Sequence, residues 1–354
     1  YFKSGKVAEC CEEHLWAYRC NQSRNKNFLN VKSLKELAQM GDEKGFQNND
    51  GAYRYAVPIN KPLHFSEKQY SVDPYVMGLI LGDGSFRYDK SQKAFMFSSE
   101  DEELPAAICK RMNYKCYKKN SIYNYNWLFE GYHENHKNIW VEDILKDYPE
   151  LWNIKSELKH VPIDYYYGSI EQRIDLLAGL LDTDGSIDEK GRISFSTISP
   201  FLRDDIIWLA TSLGFSTSII EDRRGQYTTG VCYTIHIQAP KEIKIKLFKL
   251  KRKYNIAYNY INNGKRAENR EWDSIVKIEK TDKYTDMTCF TVDNKEALFL
   301  MNDCIVTHNT RTMIGDCCNL AYPIRYDNVE KRWVATGHCE KVCYVATEQD
   351  ISEI

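Results

Sequence analysis

No apolar stretch in this sequence is long enough to cross a membrane, and no charged-then-apolar leader opens it. Both absences point away from membrane insertion and secretion. An excess of basic charge is missing as well. The 48 Lys and Arg are balanced by 50 Asp and Glu, for a formal net charge of -2. Any nucleic-acid contact must therefore come from cations gathered on one face. The 12 cysteines form no paired CxxC knuckle. Cys10, Cys11, His14 and Cys20 are close in sequence, as are His338, Cys339 and Cys343, but neither set has zinc-site spacing. Reduced thiols in a cytoplasmic protein are the expectation. An initiator Met is also missing, and YFKSGKVAEC reads like the middle of a domain. The length of 354 residues allows two or three domains, and 43% hydrophobic with 28% charged residues is ordinary for a globular chain.

What is present is an internal repeat. Residues 76–84 read VMGLILGDG and residues 177–185 read LAGLLDTDG. Each stretch is an apolar helix ending in an acid-Gly pair. Each is followed by a hairpin with a polar turn (DKSQK, then DEKG), an F-x-F-S-[ST] strand and a second helix. Gly78 and Gly179, with Ala178, would let the two helices approach closely. Such pairing brings Asp83 and Asp184 together at one end. Adjacent carboxylates are costly without a cation between them, and Mg²⁺ accepts one or two carboxylates while keeping positions for water and phosphate oxygens. That combination hydrolyses phosphodiesters.

These residues resemble the LAGLIDADG homing endonucleases over roughly residues 70–260. The second copy matches the motif closely. The first departs from it, with Gly82 read at the position of the motif's first Asp. The resemblance implies a pseudo-twofold αββαββα domain that cleaves double-stranded DNA with Mg²⁺ bound by Asp83 and Asp184. It also implies a strand saddle in the DNA major groove, for which Arg87, Lys90, Lys93, Arg192, Arg223 and Arg224 are candidate contacts. The segment KHVPIDYYYG resembles the family's K-x-x-P stretch and makes Lys159 a candidate for stabilising charge at the scissile phosphate. The run KEIKIKLFKLKRKYN, over 241–255, reads as a helix-like stretch that grips the DNA backbone or faces solvent.

The two ends need a different account. MTCFTVDNKEALFLMNDCIVTHNT reads as two short strands around a polar turn, DNKEA, and ends in His-Asn-Thr. It resembles the closing blocks of inteins, and GKVAECCEEHLWAY resembles the intein block that carries a His near the upstream junction. His14 fits that role, although Cys11 stands where the family usually has Thr. The resemblance implies a mostly-β Hint-type splicing domain that needs no cofactor. Asn309 would cyclise and break the Asn309–Thr310 bond, His308 would assist, and Thr310 would accept the upstream segment. Trp16, Cys289 and Thr307 match the three marker positions of the class 3 inteins, in which Cys289 would be the nucleophile at the upstream junction.

Residues 310–354 read as a helix, a loop and a strand, KVCYVAT. They resemble the start of a P-loop ATPase of the replicative helicase type, in which Thr310 would hold Mg²⁺ and Glu348 would orient water. The expected α+β organisation is thus 1–65, the first part of a splicing domain without its opening block; 66–262, the endonuclease; 263–309, the rest of the splicing domain; and 310–354, a short α/β host fragment. The expected partners are a double-stranded DNA site and the flanking host segments. The chain is expected to be a cytoplasmic, bacterial or phage-encoded monomer with no membrane contact. A free-standing LAGLIDADG nuclease and a decayed DNA-binding or maturase-like relic are the alternatives.

Overall fold

The structure, a computed structural model, describes residues 1–21, 29–41, 45–89, 92–118, 126–130, 139–223, 230–262, 271–281, 292, 297–308, 324–327 and 332–335. The chain divides into two compact units, Tyr1–Lys61 with Arg270–Ile354, and Pro62–Asn269. The ladders named below are all antiparallel. Among the described residues no helix is long and apolar enough to cross a membrane.

The first unit begins with β1 (Leu15–Cys20), β2 (Asn30–Ser33), α1 (Leu34–Gln39) and β3 (Tyr55–Pro58). Ser33 and Glu36 form a reciprocal capping box that starts α1. The chain then builds the second unit before returning to the first.

The second unit contains one pattern twice. Its first half is α2 (Pro74–Asp83), β4 (Gly84–Asp89), β5 (Gln92–Ser98), α3 (Glu103–Met112), β6 (Lys115–Lys118), β7 (Asn126–Glu130) and α4 (Ile139–Asp147). Its second half is α5 (Ile170–Thr183), β8 (Gly185–Ile187), β9 (Ile193–Thr197), α6 (Pro200–Ser212), β10 (Ser216–Asp222), β11 (Cys232–Gln238), the short α7 (Lys241–Lys244) and α8 (Lys251–Asn262). The sheet orders correspond, β4-β5-β7-β6 and β8-β9-β11-β10. Both halves share one apolar core that includes Val76, Leu79, Ile80, Phe95, Leu177, Leu180 and Phe195. Sequence punctuation sets the motif helices. Asp73 caps α2 with Pro74 next to it, and Ser169 with Gln172 forms the capping box of α5.

The helix pair is as close as its glycines allow. A Cβ on Gly78 would lie 2.3 Å from the Leu176 carbonyl, and one on Gly179 would lie 2.2 Å from the Tyr75 carbonyl. Gly82 faces Thr183, whose Oγ1 would be 2.0 Å from an added Cβ. Aligning the two Asp-Gly ends corrects the reading of the first motif. Gly82 corresponds to Thr183, and buried Leu81 stands where the second copy has Asp182. Asp182 is structural. Its Oδ2 accepts the Tyr75 hydroxyl at 2.9 Å and the Lys249 and Leu250 amides at 2.8 and 3.0 Å.

The lysine-rich run 241–255 is also corrected. It is two helices, α7 and α8, because Leu247, Phe248 and Leu250 turn into the core and Asp182 holds the amides between them. Lys244 and Lys253 in this run are buried, while Lys246, Lys249 and Lys251 are exposed.

The first unit resumes with β12 (Trp272–Ser274), β13 (Leu298–Leu300) and β14 (Val306–His308). β12 joins the sheet β12-β3-β1-β2, and β13 pairs with β14. Phe2, Trp16, Tyr18, Leu37, Phe46, Val57, Ile275 and Ile305 form its main core. Beyond His308 the described residues are β15 (Ile324–Asp327) and β16 (Arg332–Ala335), an antiparallel pair. This hairpin occupies sequence read as a loop, where IRYD and RWVA alternate in strand fashion. The expected strand KVCYVAT and Glu348 lie outside the described residues, as do Lys90, Arg224, Cys289, Asn309 and Thr310.

Candidate functional sites

The first site is at the foot of the α2–α5 pair. Asp83 ends α2 and Asp184 caps α5, both just before the Gly that begins the next strand. Asp83 is half-buried and Asp184 exposed. Among the described residues no donor hydrogen-bonds to either carboxylate. Desolvation, followed by the negative charge of Asp184, pushes Asp83 up to about 7. Asp184 is also raised by desolvation, against the pull of Lys159 and Lys253.

Two ammonium groups flank these acids. Lys159 Nζ donates to the Gly82 carbonyl at 2.5 Å and the Gly84 carbonyl at 3.1 Å. Lys253 Nζ donates to the carbonyls of Leu181, Asp182, Thr183 and Gly185, at 2.8, 2.8, 3.3 and 2.7 Å. Each lysine therefore sits on the carbonyl end of one motif helix, where the helix dipole is negative. Burial lowers the Lys159 pKa and brings that of Lys253 to about 8, while the nearby acids oppose the fall. Sequence reasoning named Lys159 and missed Lys253. A repeat-based signal was available, since Lys159 follows Gly84 by 75 residues and Lys253 follows Gly185 by 68.

The donor set fits a hard divalent cation. Two carboxylates with unengaged oxygens, one with its pKa raised by burial and then by the charge of the other, are what such an ion neutralises. Among the described residues no group of three or more His, Cys, Asp or Glu side chains gathers. A cation here would depend on these two acids, backbone oxygens, water and substrate.

The second site lies in the first unit, where β14 runs beside β1. His14 Nε2 and Thr307 Oγ1 are 2.6 Å apart, and the Thr307 hydroxyl donates to the Leu15 carbonyl at 3.2 Å. Because that hydroxyl has only one proton, His14 donates from Nε2 and leaves Nδ1 as an acceptor. Burial, then the neighbouring His308, lowers the His14 pKa and favours this neutral tautomer. Trp16 packs edge-on to His14, with ring centroids 5.5 Å apart. It is buried, and its indole N–H approaches the Cys10 thiol without a well-directed hydrogen bond. Burial pushes that thiol up to about 11 and makes it a poor nucleophile. His14, Trp16, Thr307 and His308 are thus gathered in one place.

Residues 160–246 match the family model described as homing endonuclease. The match begins just after Lys159 and includes Asp184, but not Asp83 or Lys253. A curated relative, the replicative DNA helicase DnaB of Mycobacterium intracellulare, is 24% identical over 324 residues. The alignment takes in 87% of this chain and 49% of the relative, so the chain spans about half the length of that helicase. Among solved structures, a mesophilic variant of the homing endonuclease I-DmoI is 15% identical, with a TM-score of 0.33, over 52% of this chain and 96% of that one. The homing endonuclease I-WcaI, bound to its DNA recognition sequence, is 14% identical, with a TM-score of 0.32, over 51% of this chain and 84% of that one.

The candidate DNA contacts are spread over the strands and turns of the second unit. Arg87 and Lys93 are exposed on β4 and β5, with Lys93 over the Trp152 ring at 5.4 Å. Arg192 pairs with Asp188 at 2.6 Å and Arg223 with Glu221 at 2.5 Å. Both pairs are solvent-exposed and weak enough for a phosphate to displace the acid.

Proposed function

We propose that the second unit is a metal-assisted DNA endonuclease, inserted into a protein-splicing domain whose host is a replicative helicase. The observation that carries the nuclease reading is the foot of the helix pair, where Asp83, Asp184, Lys159 and Lys253 form two similar half-sites. A divalent cation held by Asp83 and Asp184 would polarise the scissile phosphate and acidify an attacking water. The chain's own groups supply the rest. Lys159 and Lys253 place positive charge beside the incoming phosphates, where it offsets the negative helix ends and charge developing on oxygen. Twofold pairing gives each DNA strand one acid and one lysine. A plasmid-nicking assay on the full chain with Mg²⁺ tests this directly, and no nicking under any divalent cation would exclude it.

Affinity for a cleavage site should depend strongly on salt. About six phosphate contacts imply a loss of about 10³-fold between about 50 and 200 mM salt. Binding titrations in Ca²⁺ measure this, and a change of under about threefold would sink the saddle arrangement.

The splicing reading is supported by the His14–Thr307–Trp16 cluster and by the helicase relative. Similarity over 87% of the chain is far more than residues 310–354 alone supply. In this reading the Cys289 thiolate attacks the upstream carbonyl and the peptide C–N bond breaks, releasing the amine. The acyl group passes from sulfur to the Thr310 hydroxyl. Asn309 then cyclises through its side-chain nitrogen, freeing the Thr310 amine for an O-to-N acyl shift. His14 Nδ1, left as an acceptor, would handle the proton at the first step, and His308 that at the Asn309 carbonyl. With an opening block and an upstream segment supplied, Cys289→Ala should abolish upstream cleavage. Asn309→Ala should accumulate a branched species joined through Thr310. Electrophoresis and mass spectrometry distinguish the two, and normal splicing by Cys289→Ala would return the first step to another nucleophile.

A further inference from the structure

The two lysines of the nuclease site are held by different means. Lys253 belongs to α8, where helix hydrogen bonds and core packing fix its backbone. Lys159 follows a short 3-10 turn, Ser156–Leu158, and its own backbone is extended at φ -57, ψ 136. Nothing in its local secondary structure fixes where its ammonium points.

The restraint comes from α6. The Ser199 hydroxyl donates to the Lys159 carbonyl at 2.7 Å. Two residues further on, the Val161 amide donates to Asp205 Oδ2 at 2.6 Å. The other Asp205 oxygen accepts the Tyr166 hydroxyl, and the Tyr166 ring stacks on Trp208 at 4.6 Å. Asp205 is only 6% exposed. A carboxylate so placed is costly unless its oxygens are engaged, and both described engagements are with the segment that carries Lys159. Ser199 is the N-cap of α6, so the clamp is tied to the start of that helix.

We propose that Asp205, with Ser199, is a positioning residue for Lys159. It holds the segment 159–166 so that the ammonium lies on the Gly82 and Gly84 carbonyls beside Asp83 and Asp184. The proposal rests on the endonuclease reading for its consequence and on geometry alone for its cause. Asp205 does not touch the reacting atoms. It acts through Lys159, and misplacement of a charged group by about 1 Å costs about 10²-fold in rate.

The test uses the full chain with Asp205→Asn, Ser199→Ala, Lys159→Ala and the double variant Lys159→Ala/Asp205→Asn. Single-turnover cleavage is read in Mg²⁺ and DNA binding in Ca²⁺. Brief acetylation with acetic anhydride at a single pH, followed by peptide mass spectrometry, reads the accessibility of each lysine without DNA or metal. Asp205→Asn should slow cleavage by about 10- to 100-fold with DNA Kd changed less than about twofold. It should raise Lys159 acetylation several-fold while Lys253 acetylation stays constant. In the Lys159→Ala background, Asp205→Asn should have no further effect on rate. Ser199→Ala releases the adjacent peptide unit, on the other side of His160, and should give the same Lys159-selective rise, which keeps the test decisive if Asp205→Asn folds poorly. Unchanged Lys159 acetylation, an equal rise at Lys253, or an additive loss in the double variant overturns the proposal. If the unsubstituted chain cleaves no DNA, the endonuclease reading fails, and acetylation still decides whether Asp205 positions Lys159.

Discussion

Asp83→Asn and Asp184→Asn should each lower Mg²⁺-supported cleavage by about 10³-fold or more, with DNA affinity in Ca²⁺ within a few-fold of the unsubstituted chain. Neither carboxylate has another described hydrogen-bonding task. Removing one charge leaves a single carboxylate to hold the cation. The lysines and the strands proposed to meet DNA are untouched. Cleavage within tenfold of normal by either variant would disqualify the pair as the metal site.

The same acids make a stability forecast with a definite sign. Asp83, pushed up to about 7, holds a proton in the folded state that the unfolded carboxyl releases near about pH 4. Folding without metal is therefore progressively penalised as pH rises from about 4 to about 7, and the penalty is constant above that. Asp83→Asn should raise the melting temperature of the metal-free chain at about pH 8 by a few degrees. The gain should shrink as pH falls and vanish near about pH 4. Cleavage by the unsubstituted chain should in turn weaken below about pH 7, where a proton competes for Asp83. Equal melting temperatures of the two proteins at about pH 8 would mean that burial and the charge of Asp184 do not raise the Asp83 pKa in the fold.

Gly179→Ala should be the most damaging single-methyl change in the second unit. The added Cβ would lie 2.2 Å from the Tyr75 carbonyl and 2.9 Å from Gly78 Cα, both backbone atoms that no rotamer change can move. Relief requires the helices to separate, which strips contacts from the core that both halves share. A loss of about 3 kcal/mol or more is expected, equivalent to about 10 °C for a domain of this size. Thermal unfolding followed by far-ultraviolet circular dichroism measures it. Survivors should also cleave poorly, because separation parts Asp83 from Asp184. A loss below about 1 kcal/mol would mean that the helices are not in contact at these glycines.

The paired helices and the strands behind them were legible because the sequence states them twice, with small residues on the contact stripe and Asp-Gly at each end. Asp83 and Asp184 could be named for the same reason, and Lys159 from the K-x-x-P stretch that it begins. What escaped was long-range. Lys253 sits in a run whose alternation suggested a solvated face, and only the fold turns its ammonium toward four carbonyls at the end of α5. Asp182 matched a motif position, but its hydrogen bonds to Tyr75, Lys249 and Leu250 join residues far apart in the chain. The Gly82 reading failed by one position because an apolar residue, Leu81, took the place of an acid. In the first unit, His14 and Thr307 are 293 residues apart. Motif resemblance placed both near one reaction, but their 2.6 Å contact and the tautomer it implies exist only in the folded chain.

The seam between β3 and β12 sets an order of events in time. Pro58 pairs with Trp272, Val57 with Asp273 and Ala56 with Ser274, and the Ile59 amide reaches the Glu271 carbonyl at 2.9 Å. All of Pro62–Asn269 lies between the two sides of that seam. If the intervening chain were still unstructured, zipping the seam would close a very long loop and bear its entropy. Contacts of such separation form slowly. Once Pro62–Asn269 has condensed on its own core, the same closure spans only the distance between two anchored ends. A growing chain would therefore complete Pro62–Asn269 first, and the β3–β12 ladder would be drawn shut afterwards. In the proposed splicing reading, excision would thus wait on the folding of Pro62–Asn269.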